Sequence, residues 1–191
     1  MNLDYEAKRR AVLDGAAEVF MRDGFAAGTT KDIAAEVGLS QPAIYHYVGS
    51  KSDLLREIAL TVDHNMMEAL EAGIRSSDTP AGQLRGIMRE FTAAVVRDRR
   101  AFAVFWQELY SLEAETREKI TKDERDFINR VARLVATLQK QNRMPPGPPT
   151  AVAQAIVSMP SWMYHWYRPG GPLDAESIAD IYCSLIGIND A

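Results

Sequence analysis

The chain has 191 residues, a formal net charge of −4, 47% hydrophobic residues and a single cysteine, Cys183. This length and apolar content allow a core that needs neither disulfides nor a bound metal, and one cysteine excludes an internal disulfide framework. The apolar runs are short and broken by charges, and the N-terminus lacks a signal-peptide pattern, so we expect a cytoplasmic protein without membrane spans.

The N-terminal region predicts two helices separated by glycine. Apolar residues from Val12 to Phe20 recur at offsets of three and four, which is the stripe of a helix, and Gly24 follows as a stop signal. Thr30 is expected to cap a second helix, which is short and ends at Gly38.

A third short helix follows a turn of three residues, Gly38-Leu39-Ser40. Ser40 is expected to be its N-cap, and Pro42 in the first turn loses no hydrogen bond by lacking an N–H. Two short helices joined in this way have helix-turn-helix spacing, with Leu39 and Ile44 placed to fill the junction. The third helix is short enough to present its N-terminal end to the major groove of DNA.

Longer helices are predicted over the rest of the chain. Ser50 and Asp53 form an approximate capping box for a helix that runs to about Ile74. Further helical stripes follow in residues 84–95, 102–109, 120–138, 150–167 (with a kink at Pro160) and 174–188. We therefore predict an all-α chain of about nine helices, with a three-helix domain in residues 1–50 and a larger helical domain in residues 51–191.

The surface chemistry of the third helix suits DNA reading. Gln41 is able to pair with an adenine edge, and the small apolar residues Pro42 and Ala43 suit thymine methyl groups. Hydroxyl and ring groups for phosphates and bases follow at Tyr45, His46 and Tyr47. Lys51 opens the next helix, where its charge adds to the positive N-terminal dipole and favours a phosphate.

The charge balance limits how the chain binds nucleic acid. Residues 1–51 carry six basic side chains against seven acidic ones. Proteins that coat DNA non-specifically carry a large positive surplus. DNA binding must therefore depend on a few well-placed cations and on contacts to bases.

These motifs resemble the DNA-binding domain of the TetR family of bacterial repressors. The resemblance covers roughly residues 8–58 and rests on Thr30-Lys31-Asp32-Ile33-Ala34, on Gly38 to Tyr47, on Lys51 to Leu55 and on the preceding Ala16-Ala17, Phe20, Gly24-Phe25 and Thr29-Thr30. It implies an all-α homodimer whose N-terminal domain reads a palindromic operator and whose C-terminal domain binds a small molecule and dimerises. One departure is Val48-Gly49, where the family often has a phenylalanine and a polar residue, and Gly49 is expected to loosen the junction without loss of function.

The resemblance also implies roles for individual residues. Those that would face bases are Gln41, Pro42, Ala43 and His46. Those that would hold phosphates are Thr30, Lys31, Tyr45, Tyr47 and Lys51. The implied protein is a ligand-responsive regulator, a repressor that a small molecule releases from its operator.

Large apolar side chains in the second half form either a core or an effector pocket. The candidates for the pocket are Phe91, Val95, Phe102, Phe105, Trp106, Leu109, Met159, Trp162 and Met163. Residues 159–173 resemble a subset of TetR-type regulators of fatty-acid, aromatic-acid and steroid breakdown, several of which respond to acyl-coenzyme A thioesters. A plain turn with Trp166 and Tyr167 packed beneath it explains the same residues, and a drug or metabolite without coenzyme A is the alternative effector.

Two apolar stripes near the C-terminus predict the dimer interface. They comprise Ala155 and Ile156 in one helix and Ile178, Ile181, Tyr182 and Leu185 in the next. Two such helices from each protomer make a four-helix interface. It would hold the two DNA-binding domains one turn of DNA apart, or a multiple of one turn.

An enzyme and a helical scaffold protein are the alternative classes. The histidines, His46, His64 and His165, do not have the spacing of metal ligands, and the chain lacks a nucleophile elbow and a Gly-rich phosphate loop. Cys183 lies on an apolar helix face and is expected to be buried packing. We therefore expect no catalytic residues, metal or cofactor. Salt-dependent binding to promoter DNA would separate a regulator from a scaffold.

Overall fold

The structure, a computed structural model, describes residues 3–188. These residues form α-helices with no strand, and the predicted all-α class is confirmed. The helices are α1 (Leu3–Asp23), α2 (Thr30–Glu36), α3 (Gln41–Val48), α4 (Lys51–Arg75), α5 (Pro80–Arg97), α6 (Arg99–Glu108), α7 (Ala114–Lys140), α8 (Pro149–Ser161), α9 (Met163–Trp166) and α10 (Ala175–Leu185). A 3₁₀ turn, Leu109–Ser111, lies between α6 and α7.

The predicted helix over residues 150–167 is divided into α8 and the single turn of α9. Pro160 lies inside α8 near its end, where its ring removes one helical hydrogen bond, and Trp162 separates the two helices. The prediction of about nine helices is thus met, with this one break added.

Capping side chains set where the short N-terminal helices begin. The expectation that Thr30 caps α2 is wrong by one residue. Thr29 accepts a hydrogen bond from the Asp32 N–H at 3.2 Å, and the Asp32 carboxylate accepts the Thr29 N–H at 3.0 Å, which completes a capping box. Ser40 has the extended backbone of an N-cap but no side-chain capping bond, and the predicted box of Ser50 with Asp53 is confirmed.

The chain divides into two compact units. The first takes the chain up to Val62 together with Arg100–Ile120, and the second takes Asp63–Arg99 together with the chain from Thr121 onward. In the first unit α1, α2 and α3 pack on one another around fully buried apolar side chains, among them Val12, Ala16, Phe20, Ile33 and Ile44.

The second unit is built around α5. Its side chains Leu84, Phe91 and Val95 are buried, and the Phe91 ring lies 5.4 Å from the ring of Phe127 on α7. α10 packs along α5, where the Arg89 guanidinium donates to the Asp180 carboxylate at 3.0 Å. Within residues 3–188 no helix is both long and apolar enough to span a bilayer.

Candidate DNA-binding surface

α3 buries one side and exposes the other. Ile44 is completely buried and Val48 nearly so, because this side packs on α1 and α2. Gln41, Pro42, Tyr45 and His46 are exposed, with Pro42 and His46 on the opposite side and Gln41 and Tyr45 at the edge of the buried side, while Ala43 and Tyr47 are half-buried. Side chains three or four residues apart lie on one face of a helix, so Pro42 and His46 project together, and Gln41 and Tyr45 lie together beside them.

Thr30 connects two of the side chains on this exposed face. It lies at the start of α2 and is only 8% exposed. The Gln41 side-chain N–H donates to Thr30 Oγ1 at 2.8 Å, and the Tyr45 hydroxyl shares a hydrogen bond with the same oxygen at 3.2 Å. Thr30 therefore orients Gln41 and Tyr45 before any ligand binds, which lowers the entropy cost of ordering them on DNA.

Tyr5, which was not among the predicted site residues, supports the C-terminal end of α3. Its ring lies 5.0 Å from the ring of Tyr47 and 6.0 Å, edge-on, from that of His46. Its hydroxyl also donates to the His46 carbonyl at 3.5 Å. The signal that could have found it was the seven-residue spacing between Tyr5 and Val12, which extends the apolar stripe of α1 by two turns.

Glycines make the two turns that frame α3. Gly38 has φ +67° in the turn before it, and Gly49 has φ +74° directly after it. A Cβ at Gly49 would lie 2.8 Å from the Asp53 carboxylate, and the left-handed backbone at this position favours glycine. At the two positions where this sequence departs from the family pattern, Val48 is therefore buried and Gly49 ends α3 in a tight turn.

Lys51 does not point freely toward solvent. Its ammonium donates to three backbone carbonyls in the turn between α1 and α2, those of Phe25 at 2.6 Å, Ala26 at 3.3 Å and Gly28 at 3.0 Å. It also lies 4.5 Å from the centre of the Phe25 ring. Lys31, by contrast, is exposed on α2.

The predicted effector residues are divided between the two units. Those in the first unit are Phe102, Phe105, Trp106 and Leu109, and those in the second are Phe91, Val95, Met159, Trp162 and Met163. Most are buried, whereas Trp162 is 59% exposed. The buried members contribute to the cores of their units, and their contact with an effector stays a prediction.

The predicted dimer residues fall into exposed and buried groups. Ile181 and Leu185 on α10 are 46% and 71% exposed, Ala155 is exposed, and Tyr182 is half-buried. Ile156 and Ile178 are buried within one protomer. Exposed apolar side chains lie near the same C-terminal helices at Trp162, Trp166 and Leu173. Over the described part of the chain, no group of three or more potential ligands for a metal ion is present.

Two family descriptions match this sequence. "Bacterial regulatory proteins, tetR family" matches residues 12–58, and "Tetracyclin repressor-like, C-terminal domain" matches residues 77–187, which is more than half of the chain. The chain belongs to the TetR family. The family assignment confirms the predicted TetR resemblance and the function of a ligand-responsive transcriptional regulator that binds DNA.

Relatives of this TetR-family chain are similar over nearly its whole length. The transcriptional repressor KstR2 of Mycolicibacterium smegmatis is 25% identical over 190 residues, covering 94% of this chain and 89% of the relative. The TetR-family regulator PfmR of Thermus thermophilus is 29% identical, with a TM-score of 0.81 over 91% of this chain and 95% of that one. AibR, solved with isovaleryl coenzyme A and operator DNA, is 25% identical, with a TM-score of 0.78 over 94% and 98%.

Proposed function

We propose that this TetR-family chain represses transcription as a homodimer that binds a palindromic operator and is released by a hydrophobic or acyl-CoA-like molecule. The observation that carries the proposal is the exposed side of α3, which presents Gln41, Pro42, Tyr45 and His46 while the other side is sealed in the unit. Residues 1–50 would read the operator, and residues 51–191 would bind the effector and dimerise. A regulator of bacterial DNA acts in the cytoplasm, and we infer no enzymatic activity.

Each exposed residue has a role that follows from its chemistry. Gln41 and His46 would hydrogen-bond to base edges, and Pro42 and Ala43 would contact thymine methyl groups. Phosphates would be held by Lys31, Tyr45 and Tyr47, with Thr30 orienting the reader side chains. Lys51 is left out of the phosphate set because its ammonium is already bonded to three carbonyls.

Operator binding is tested on the promoter of the chain's own gene by fluorescence anisotropy, with random DNA of equal length as competitor. Gln41→Ala should cost about 1–3 kcal/mol of specific binding. Gln154→Ala, at an exposed glutamine on α8, is the matched control and should have no effect. Equal affinity of the wild type for promoter and random DNA would remove the proposal.

The dimer is proposed to form through the exposed apolar side chains of the C-terminal helices. Large exposed apolar side chains that lie close together mark protein interfaces more often than isolated ones do. Leu185→Glu should produce a monomer in light scattering and weaken operator binding, because one reader contacts only half of a palindrome. Thr137→Glu, at an exposed position of α7, should stay dimeric. A dimeric Leu185→Glu protein would place the interface elsewhere.

The effector class is proposed from two observations. The second unit carries large apolar side chains at Phe91 and Val95 of α5 and at Met159 of α8, and the similar protein AibR was solved with isovaleryl coenzyme A. Operator release is measured with straight- and branched-chain acyl-CoA thioesters of increasing length and with the matching free acids. Release by the thioesters alone supports an acyl-CoA effector, and equal release by the free acids supports a plain hydrophobic one. Effector and operator should weaken each other's binding by the same factor.

A further inference from the structure

The turn between α1 and α2 contains a cation-binding cluster of backbone oxygens. The carbonyls of Phe25, Ala26 and Gly28 converge on the Lys51 ammonium, which has three N–H groups to donate. Backbone carbonyls that lack a partner in a helix or sheet need a donor from elsewhere, and a charged donor makes a shorter and stronger bond. Lys51, the first residue of α4, thereby links α4 to the turn that leads into α2.

The same turn is bonded from a second helix. The Phe25 N–H donates to the Glu108 carboxylate at 3.1 Å, at the end of α6. The other Glu108 oxygen accepts from the Ser111 hydroxyl at 2.8 Å, which orients the carboxylate. The Phe25 ring meanwhile packs edge-on against Phe20 of α1 at 5.3 Å. Residues of α1, α4 and α6 therefore all contact one turn, which leads into α2.

We propose that Lys51 and Glu108 are positioning residues for the DNA reader, and that the Lys51 charge is used on the turn instead of on an operator phosphate. The inference rests on the proposed operator binding and deepens it. By fixing residues 24–28 from both sides, the two side chains set how α2, and with it α3, is held relative to α4 and α6. The expectation that Lys51 holds a phosphate competes directly with this assignment.

The two roles of Lys51 predict different responses to conservative replacement. A phosphate contact needs only a positive charge within reach, and arginine replaces lysine there. A cluster of three converging carbonyls needs a compact ammonium, which the flat guanidinium fork does not reproduce. Lys51→Arg therefore separates the roles, and Lys51→Met keeps the side-chain stem while it removes the charge.

Operator binding is measured for these variants at several salt concentrations, at a temperature where circular dichroism shows each to be fully folded. Lys51→Met and Lys51→Arg should each weaken binding roughly tenfold, with the dependence on salt concentration unchanged. Lys31→Met is the phosphate control and should reduce the slope of log K against log salt by about 0.9 per protomer. Lys140→Met, at an exposed residue at the end of α7, should match the wild type.

Glu108 provides an independent check. Glu108→Gln keeps an oxygen that accepts the Phe25 N–H and should bind the operator within about twofold of the wild type, whereas Glu108→Leu should lose several-fold. The inference is overturned if Lys51→Arg binds as well as the wild type, if Lys51→Met lowers the salt slope as Lys31→Met does, or if folded Lys51→Met keeps full affinity. A wild-type protein that fails to bind the operator would instead overturn the proposed function, and this inference with it.

Discussion

Replacing Gly73 by alanine should separate α4 from α5 in the second unit. A Cβ at Gly73 would lie 2.2 Å from the Ile87 nitrogen, 2.4 Å from its Cα and 2.7 Å from the Gly86 carbonyl carbon. All three atoms belong to the backbone of α5, so no side-chain rotation relieves the contact. Since ordinary Cβ contacts begin near 3.4 Å, full relief of the 2.2 Å contact moves the two helices apart by about 1.2 Å at this point.

The size of the effect follows from two opposing contributions. Forcing an extra methyl into a packed interface costs about 1–3 kcal/mol, and the upper end applies because the obstacle is main chain. Alanine in place of glycine within a helix stabilises that helix by about 0.5–1 kcal/mol. The net loss should be roughly 2 kcal/mol, which for a chain of this size lowers Tm by about 4–8 °C.

Thermal and urea unfolding followed by circular dichroism measure this loss at one fixed protein concentration, because dimerisation makes Tm depend on concentration. Glu68→Ala, at an exposed site on the same helix, is the control and should stay within about 0.5 kcal/mol of the wild type. A Gly73→Ala protein that melts at the wild-type temperature would refute this close contact between α4 and α5.

Three further substitutions test local chemistry. Hydrogen bonds from Ser50 hold the pKa of Asp53 below its usual 3.8, so the ionised carboxylate stabilises the fold above that pH and this stabilisation is lost as pH falls. Asp53→Asn should therefore lower Tm at pH 7, and the difference from the wild type should disappear in acid. Burial, and then the charge of Asp63, raise the pKa of Glu124, so the folded protein loses stability as pH rises and this carboxyl group ionises. Glu124→Gln should therefore raise Tm at pH 8 but not at pH 4. The Thr92 hydroxyl is fully buried without a hydrogen-bond partner among residues 3–188, and Thr92→Val should raise the free energy of unfolding by about 1 kcal/mol in urea titration; a loss would mean that the hydroxyl is bonded.

The exposed side of the reader helix could be predicted from the sequence because its signals are local. Ile44 and Val48 are four residues apart and share the buried side, which leaves Pro42 and His46, also four apart, on the opposite side of α3. Helix starts are also local, since a capping box joins residues three apart. Even the error of one residue at Thr30 arose from two adjacent threonines, of which only Thr29 stands three residues before Asp32.

The roles of Lys51, Thr30 and Tyr5 required the folded chain. Lys51 meets Phe25 across 26 positions of sequence, and Phe25 meets Glu108 across 83, so no periodicity or cap predicts either pairing. The division of the large apolar residues between two units is equally a matter of how distant segments pack. The amino-acid order was enough to define the helices and the outward side of the reader, because hydrogen bonds and side-chain spacing within a few residues govern both. The tertiary structure alone shows that Lys51 is bonded within the protein while Lys31 remains exposed. The reason is that the groups bonded to Lys51 come from remote parts of the chain.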